Sequence, residues 1–350
     1  MVQVAAALPP VTSVTMLDGL DGNYISAYEA CLEFEKSAPA DSDALIHARI
    51  LGYLIIHSPS RTVLHEVVKA IQSCAGDYSE LSQLGQIFID YFIRPFKKFK
   101  GRTPASSDDS SRQSSDKLKR DLRSRIQEAP KTHREAKDLA LVRDGFRCVV
   151  TGKYHRDALS EVSASPEEIR AAGVVHTQCA HIGPETTYFD MIDQDSSNKK
   201  LDYAASVLAV LKGFGYDVEQ VNGTKVHSLY NVITMESNVH DWFSRLEIWF
   251  EQTKVSNRYR IRSIEAFYRL PMEVTFTTPD NESLPVPSET LLGLHATCAK
   301  VANFSGAAEH IDKLDCGVED SGVLAYDGSS AEVLSSALLN RMNQVIGVRT

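Results

Sequence analysis

Features typical of secreted and membrane proteins are scarce in this chain of 350 residues. No run of 18 apolar residues occurs, so the sequence predicts no transmembrane helix and no membrane partner. The first ten residues lack a basic segment and end in Pro9-Pro10, which is unlike a secretory signal peptide. The cysteines follow no framework spacing, which favours a reducing compartment; they are Cys31, Cys74, Cys148, Cys179, Cys298 and Cys316. We therefore expect an intracellular protein, nuclear or cytoplasmic.

The short motifs of several large enzyme classes are also absent. The sequence contains no Gly-rich phosphate-binding loop, no Gly-x-Ser-x-Gly nucleophile elbow and no Cys-x-x-Cys pair. The sequence therefore indicates no active site of these classes.

Acidic residues outnumber basic ones, but the charge is distributed unevenly. The net charge of −9 argues against indiscriminate binding to nucleic acid. Residues 94–148 contain 16 Lys and Arg against 8 Asp and Glu, a local charge of +8, whereas residues 1–93 contain 4 against 11. A basic segment of this kind is where a phosphate backbone could be met, and the alternative is a solvated linker and helix face.

Hydrophobic periodicity divides the chain into four parts and predicts an α+β fold. Residues 1–100 repeat apolar positions at helical spacing, which predicts a unit of about four helices. Residues 101–116 are Ser-rich and short of apolar residues, as in a flexible linker. A leading helix and a small mixed module follow over 117–255. A strand pair and further helices that pack on this module complete the chain over 256–350.

Three polar residues of the module stand in the order His, Asn, His. His181 lies in the segment 178–184, which has the sequence Gln-Cys-Ala-His-Ile-Gly-Pro. Asn231 opens the run Asn-Val-Ile-Thr-Met, and His240 follows nine residues later in Val-His-Asp-Trp-Phe. The apolar residues after Asn231 are typical of a buried strand. Those of 239–250 recur at helical spacing and predict one helix over this whole range.

This ordered set, opened by Cys148-Val-Val-Thr-Gly152, resembles the HNH nuclease module and most closely its fungal branch. The resemblance implies a ββα-metal fold, with a long insertion here between His181 and Asn231. It implies that His181 ends the first strand and is the general base. It also implies that Asn231 opens the second strand and orients that base, and that His240 on the following helix is a metal ligand.

The resemblance further implies a cofactor and a substrate. The cofactor would be a divalent cation, Mg²⁺ in the first place, with Mn²⁺ or Zn²⁺ as alternatives. The substrate would be nucleic acid, DNA rather than RNA. A cation of this kind supplies Lewis acidity for hydrolysis of a phosphodiester, and a neutral imidazole can take a proton from water near pH 7.

Two positions depart from the pattern of the resembling family. Ala180 stands where many HNH modules have Asp or His as a second metal ligand, and Ser244 stands where the fungal branch often has Asp. The cation would then be held by the remaining histidine with waters, or with a neighbour such as His176 or Asp190. His227, four residues before the asparagine, is a further residue that could line the site.

A structural zinc is not expected, because only one of four possible ligands is present. Many HNH modules carry two Cys-x-x-Cys knuckles. Here the first runs from Cys148 to Thr151, and the second would fall on Glu236 and Val239. Cys148 is then expected to be a small buried hydrophobic residue.

Three functional hypotheses follow from the sequence. The first is a metal-dependent endonuclease that hydrolyses phosphodiester bonds in DNA. The second is a decayed HNH module that binds nucleic acid or protein without cutting, because a fold does not guarantee a function. The third is protein assembly through the helical N-terminal part, for which the sequence indicates no particular protein partner.

Overall fold

Helices and short strands together form an α+β fold, as predicted. The structure is a computed structural model that describes residues 5–14, 21–97, 132–183, 207, 209–214, 216 and 223–320. The predicted linker 101–116, most of the basic segment and Asp190 lie outside these residues. Within the described ranges, no helix is both long and apolar enough to cross a membrane.

Four helices form the N-terminal part, as the periodicity predicts: α1 Gly22–Ser37, α2 Asp43–Ile56, α3 Arg61–Ser73 and α4 Tyr78–Phe88. Ser42, Ser60 and Asp77 cap α2, α3 and α4 by accepting hydrogen bonds from backbone N–H groups of the first turn. The long apolar face of α2 is buried against α1, α3 and α4. A π-helical turn, Ile89–Ile93, and one further turn, Arg94–Phe96, complete this part.

The central part contains the residues that resemble a nuclease module. Its elements are α5 His133–Arg143, β1 Tyr154–His155, α6 Pro166–Ala172, β2 Val174–Val175, β3 Thr177–His181, β4 Val232–Glu236 and α7 Ser237–Ser244. β1 and β2 form a short parallel pair. β3 and β4 are antiparallel, and His181 lies opposite Val232. One end of the paired strands is therefore at His181, next to Asn231. The other end, at Glu236, is followed directly by α7, which carries His240.

The β3–β4 pair buries side chains on both of its faces. Successive side chains of a strand alternate between the two faces. Ala180 and Ile233 belong to the main core, which also contains Val239 and Phe243 of α7. The opposite face belongs to a smaller cluster with the α5 helix; its members are Ala136, Leu139, Ala140, Cys179, Leu229, Val232 and Leu284. Two helices therefore cover the pair, one on each face.

The C-terminal part adds a second sheet and two helices. β5 Ile248–Gln252, β6 Arg258–Ser263 and β7 Glu273–Thr275 form an antiparallel sheet in that order. The alternation that predicts β6 and β7 as an antiparallel pair is confirmed. The helices are α8 Glu289–Ser305 and α9 Ala307–Asp320.

Helix α8 connects the N-terminal helices with the second sheet. It packs against both α2 and β5, and residues of all three belong to one hydrophobic core. The hydroxyl of Thr297 donates to the carbonyl of His57 at 3.0 Å. α9 adds two ion pairs, Lys97 with Asp312 at 3.1 Å and Arg94 with Asp315 at 3.0 Å.

The single helix predicted over 239–250 is wrong in its second half. α7 ends at Ser244, Leu246 adopts a φ of 63°, and the chain then continues as β5. The amide of Asn303 donates to the carbonyl of Leu246 at 2.7 Å and holds the chain where it leaves the helix. The spacing of the apolar residues in this segment fits both a helix and a strand. Pairing with β6 makes residues 248–252 a strand.

Gly85 of α4 lies directly against His47 of α2. A Cβ atom there would lie 2.5 Å from Cβ and 2.9 Å from Cα of His47. We expect Gly85→Ala to lower the free energy of unfolding by about 1–3 kcal/mol, as overpacking does. Gly293→Ala is the control, because nothing lies within 4 Å of its added methyl group. It should raise the stability of α8 by up to about 1 kcal/mol. Urea unfolding measures both, and equal effects of the two variants would contradict the close contact.

Burial of His295 predicts acid sensitivity. Its ring stacks on Phe243 with centroids 3.7 Å apart, and its Nε2 hydrogen-bonds to the Phe243 carbonyl at 3.1 Å. Burial lowers the pKa of His295 from its ordinary 6.5 to about 3. The folded state therefore keeps the ring neutral, whereas the unfolded chain takes up a proton below pH 6.5.

The contribution of His295 to the free energy of unfolding is fully present above pH 6.5 and decreases as the pH falls toward 3. In wild type, the free energy of unfolding should fall by up to about 1.4 kcal/mol per pH unit from this one group. His295→Gln cannot titrate, so its unfolding free energy should fall less steeply over the same range. Urea unfolding between pH 7.5 and 4.5 compares the slopes, and identical slopes would refute this assignment.

Candidate active site

A buried arginine at the end of α5 is bonded through every N–H group it has. The Nε and Nη2 atoms of Arg143 donate to the carboxylate of Asp144 at 2.7 and 2.9 Å. The remaining N–H groups donate to the carbonyls of Leu229, Val232 and Pro285 at 2.7, 2.8 and 3.3 Å. A guanidinium has five donors, and all five have an acceptor here. Arg143 thereby fixes the backbone on both sides of position 231.

Asn231 is fully buried. In the sequence it lies between Leu229 and Val232, two of the three residues whose carbonyls accept from Arg143. Its Oδ1 accepts from the backbone N–H of Gly183 at 2.7 Å, and its Nδ2 donates to the carbonyl of Val226 at 2.8 Å. Its own carbonyl accepts from the N–H of Ile182 at 2.8 Å. Asn231 therefore joins the segment just after His181 to the segment just before His227. These hydrogen bonds of its amide go to the backbone next to the two imidazoles.

Three imidazoles meet where β3 ends. The Nε2 atom of His181 lies 3.1 Å from Nδ1 of His227, which is hydrogen-bond distance. The ring of His133, the first residue of α5, lies 5.2 Å from the ring of His181 and 6.1 Å from that of His227, measured between centroids. We refer to His133, His181 and His227 as the histidine cluster.

His133 did not emerge from the sequence analysis. No spacing relates it to the other two histidines, and only the packing of α5 on β3 and β4 brings it near them. The one local signal is Thr132, whose hydroxyl accepts from the N–H of Glu135 at 3.2 Å and sets the start of α5. A cap of this kind predicts where a helix begins but not what its first residue touches.

His240 on α7 makes its contact with the other face of β3. Its Nδ1 atom is hydrogen-bonded to Oε1 of Gln178. An oxygen acceptor on Nδ1 fixes the tautomer that carries the proton there, so a cation bound by His240 would be ligated through Nε2. Metal-binding histidines usually have such an oxygen partner on their other nitrogen, so this residue fits the role of a metal ligand.

His181 therefore lies on one face of β3, and His240 of α7 contacts the opposite face through Gln178. Gln178 and Ala180 share the α7 face, whereas His181, an odd number of residues away, shares the α5 face with Val232. Ala180 is fully buried opposite Ile233, so the position of a second ligand in the resembling family is filled by packing here.

The other predicted residues lie elsewhere or contribute little. His176 is 63% exposed, and its Nδ1 lies 3.8 Å from a carboxylate oxygen of Asp157. Ser244 is the last residue of α7. Asp190 lies outside the described residues. Across the described ranges, no three His, Cys, Asp or Glu side chains are grouped so that they could hold a metal ion.

The Cys148–Gly152 segment forms a tight turn joined to β4. Cys148 is fully buried, as expected, and the N–H of Thr151 approaches its sulfur at 3.4 Å. The hydroxyl of Thr151 donates to Glu236 at 3.0 Å, and Lys153 forms an ion pair with the same carboxylate at 3.0 Å. Zinc-binding modules of the family that the sequence resembles have a ligand at the position of Glu236. Here Glu236 joins the turn to β4 through its contacts with Thr151 and Lys153.

Comparison with known proteins does not assign the chain to a family. No family model matches it, and no curated protein or solved structure does so either. A function therefore has to be inferred from the chemistry of the histidine cluster, Asn231, Gln178 and His240.

Arg143→Lys should destabilise the protein strongly. Lysine keeps the charge, but its single ammonium cannot reach five acceptors spread over four residues. We expect the free energy of unfolding to fall by about 3–5 kcal/mol, as when a buried ion pair is broken. Arg258→Lys is the matched control, since Arg258 is 48% exposed and pairs with Glu273 on the surface. It should change stability by less than about 1 kcal/mol. Urea unfolding compares the two, and a small effect at Arg143 would contradict its proposed role.

Proposed function

We propose that this protein is a metal-dependent endonuclease that hydrolyses phosphodiester bonds in DNA. The observation that carries the proposal is the His181–His227 pair at the end of β3, held by the buried amide of Asn231. An antiparallel strand pair followed at once by the helix with His240 also supports it. Nuclear or cytoplasmic location is part of the proposal and rests on the scattered cysteines.

In this proposal His181 is the general base. A neutral imidazole can accept a proton from an attacking water near pH 7. His227 lies within hydrogen-bond distance of His181, so it can orient the ring and share the proton that the ring gains. Asn231 is a positioning residue, because its amide fixes the backbone that carries both rings.

His240 would bind the divalent cation through Nε2, with Gln178 holding its Nδ1. A bound Mg²⁺, Mn²⁺ or Zn²⁺ supplies Lewis acidity at the phosphate oxygens. The chain's own contribution is to present one imidazole in a fixed tautomer on a helix that packs on β3 and β4.

A non-catalytic HNH-like scaffold is the second candidate function. The observation that favours it is Ala180, which is fully buried and leaves the strand without a second ligand. The same scaffold could bind nucleic acid or protein without cutting.

Plasmid nicking with Mg²⁺, Mn²⁺, Zn²⁺ or EDTA tests the proposal. We expect metal-dependent nicking, lost by about 10²–10⁴-fold in His181→Ala, because a general base contributes a factor of that size. His240→Ala should also lose nicking, because cation binding is weakened, and His227→Ala should show an intermediate loss. His65→Ala on α3 is the control, because its ring contacts Tyr24 in the N-terminal part.

Two results would decide against the nuclease. Equal nicking by wild type and His181→Ala would remove the proposed base. Failure of the folded wild-type protein to nick with every cation would favour the non-catalytic scaffold.

A further inference from the structure

A row of three arginines lies on the outward face of the C-terminal sheet. Arg258, Arg260 and Arg262 alternate along β6 with the buried Tyr259 and Ile261. Their side chains are 48%, 50% and 45% exposed. β6 is the middle strand of the sheet, so the three guanidinium groups stand on a rigid support. We call them the arginine row.

Positive charge exceeds negative charge around the arginine row. Arg258 pairs with Glu273 at 2.6 Å, whereas Arg260 lies 3.9 Å from the same residue, beyond hydrogen-bond distance. Arg262 shares Glu251 with Lys300, each at 2.8 Å. Four cations therefore have two carboxylates in these pairs, and the group carries a net charge of +2 in a chain whose total is −9.

Of the two carboxylates, Glu251 remains charged near physiological pH. Burial alone would raise the pKa of Glu251, but hydrogen bonds from Arg262 and Lys300 lower it to about 2. Their role is to hold the guanidinium groups in fixed positions. A side chain that is already ordered loses less conformational entropy when it meets an anion.

The spacing of the arginine row suits a polyanion with regular charges. Residues two apart on an antiparallel strand are separated by about 6.8 Å, so the row spans about 14 Å. Successive phosphates of one DNA strand rise about 3.4 Å along the axis and also turn about it, so their direct separation is larger than this rise and comparable with the spacing of the arginines. Guanidinium groups also bind phosphate oxygens in a planar, bidentate way.

A cleft lies between β7, which is next to the arginine row, and the Cys148–Gly152 turn. Glu273, which pairs with Arg258, also lines a cleft of about 320 Å³ together with Arg147 and Thr151. The far wall of this cleft is the Cys148–Gly152 turn, whose Val149 N–H donates to the carbonyl of Thr234 on β4 at 3.0 Å. The Arg258 end of the row is therefore next to this cleft.

We propose that the arginine row binds the sugar-phosphate backbone of DNA. This inference rests on the proposed nuclease function, of which it specifies the substrate-binding surface. The phosphate contacts position the duplex and give no preference for base sequence.

Fluorescence anisotropy with a labelled 20-base-pair duplex in EDTA tests binding without any cutting. The full chain is compared with the triple variant Arg258→Gln, Arg260→Gln, Arg262→Gln. We expect Kd to rise at least about tenfold and the slope of log K against log salt to fall by about 2.7, which is 0.9 for each lost phosphate contact. Arg260→Gln alone should fold normally, because its ion pair is the longest of the row, and should lower the slope by about 0.9.

Two controls separate specific binding from net charge and from misfolding. Arg61→Gln, Lys69→Gln, Arg170→Gln removes three exposed charges from α3 and α6 and should leave the salt slope unchanged. Replacing the row by three lysines should largely keep the slope, since the charges remain. An unchanged slope in both Gln variants of the row would overturn the proposal. Row-dependent binding of labelled poly-glutamate by a protein that does not bind the duplex would also overturn it, in favour of an acidic protein partner.

The two proposals fail in different ways. If the wild type binds DNA through the row but never nicks it, the row stands and the nuclease falls. If nicking requires His181 while the row variants bind and cut DNA as wild type does, the nuclease stands and the row falls.

Discussion

The candidate site depends on one buried guanidinium. Arg143 has five donors and five acceptors, and three of those acceptors are carbonyls of segments far away in the chain. Asp144 neutralises the charge and also accepts from the N–H of Thr234 at 3.0 Å, so the ion pair is built into β4. Leaving any of these groups unpaired inside the protein would be costly. The pair can therefore form only when α5, β4 and the segment before β4 are all in place.

Hydrogen bonds connect Arg143 and Asn231 with the backbone segments that carry His181 and His227. Arg143 holds positions 229 and 232, and Asn231 between them holds positions 183 and 226. His181 and His227 are next to these points and meet at 3.1 Å. His240 is fixed separately, on the other face of β3, by Gln178. His181 is the last residue of β3. His181 and His240 therefore lie at different faces of this strand.

Sequence patterns predict the helices and strands that depend mainly on nearby residues. Helical periodicity predicts the four helices α1 to α4, and alternation predicts β6 and β7 as an antiparallel pair. β5 was missed because its apolar run satisfies both periods, and only pairing with β6 selects the strand. Arg143 and His133 were also missed. Their partners lie far along the chain, and a helical arginine or histidine looks the same in sequence whether it is solvated or buried.

The most direct test of this account is nuclear magnetic resonance of the histidine rings in ¹⁵N-labelled protein. The account predicts a scalar coupling across the hydrogen bond between Nε2 of His181 and Nδ1 of His227 in wild type. It also predicts that the coupling disappears in folded Asn231→Ala, because the methyl group cannot hold the two backbone segments. A coupling that persists in Asn231→Ala would show that the rings are positioned without the amide and would contradict the account.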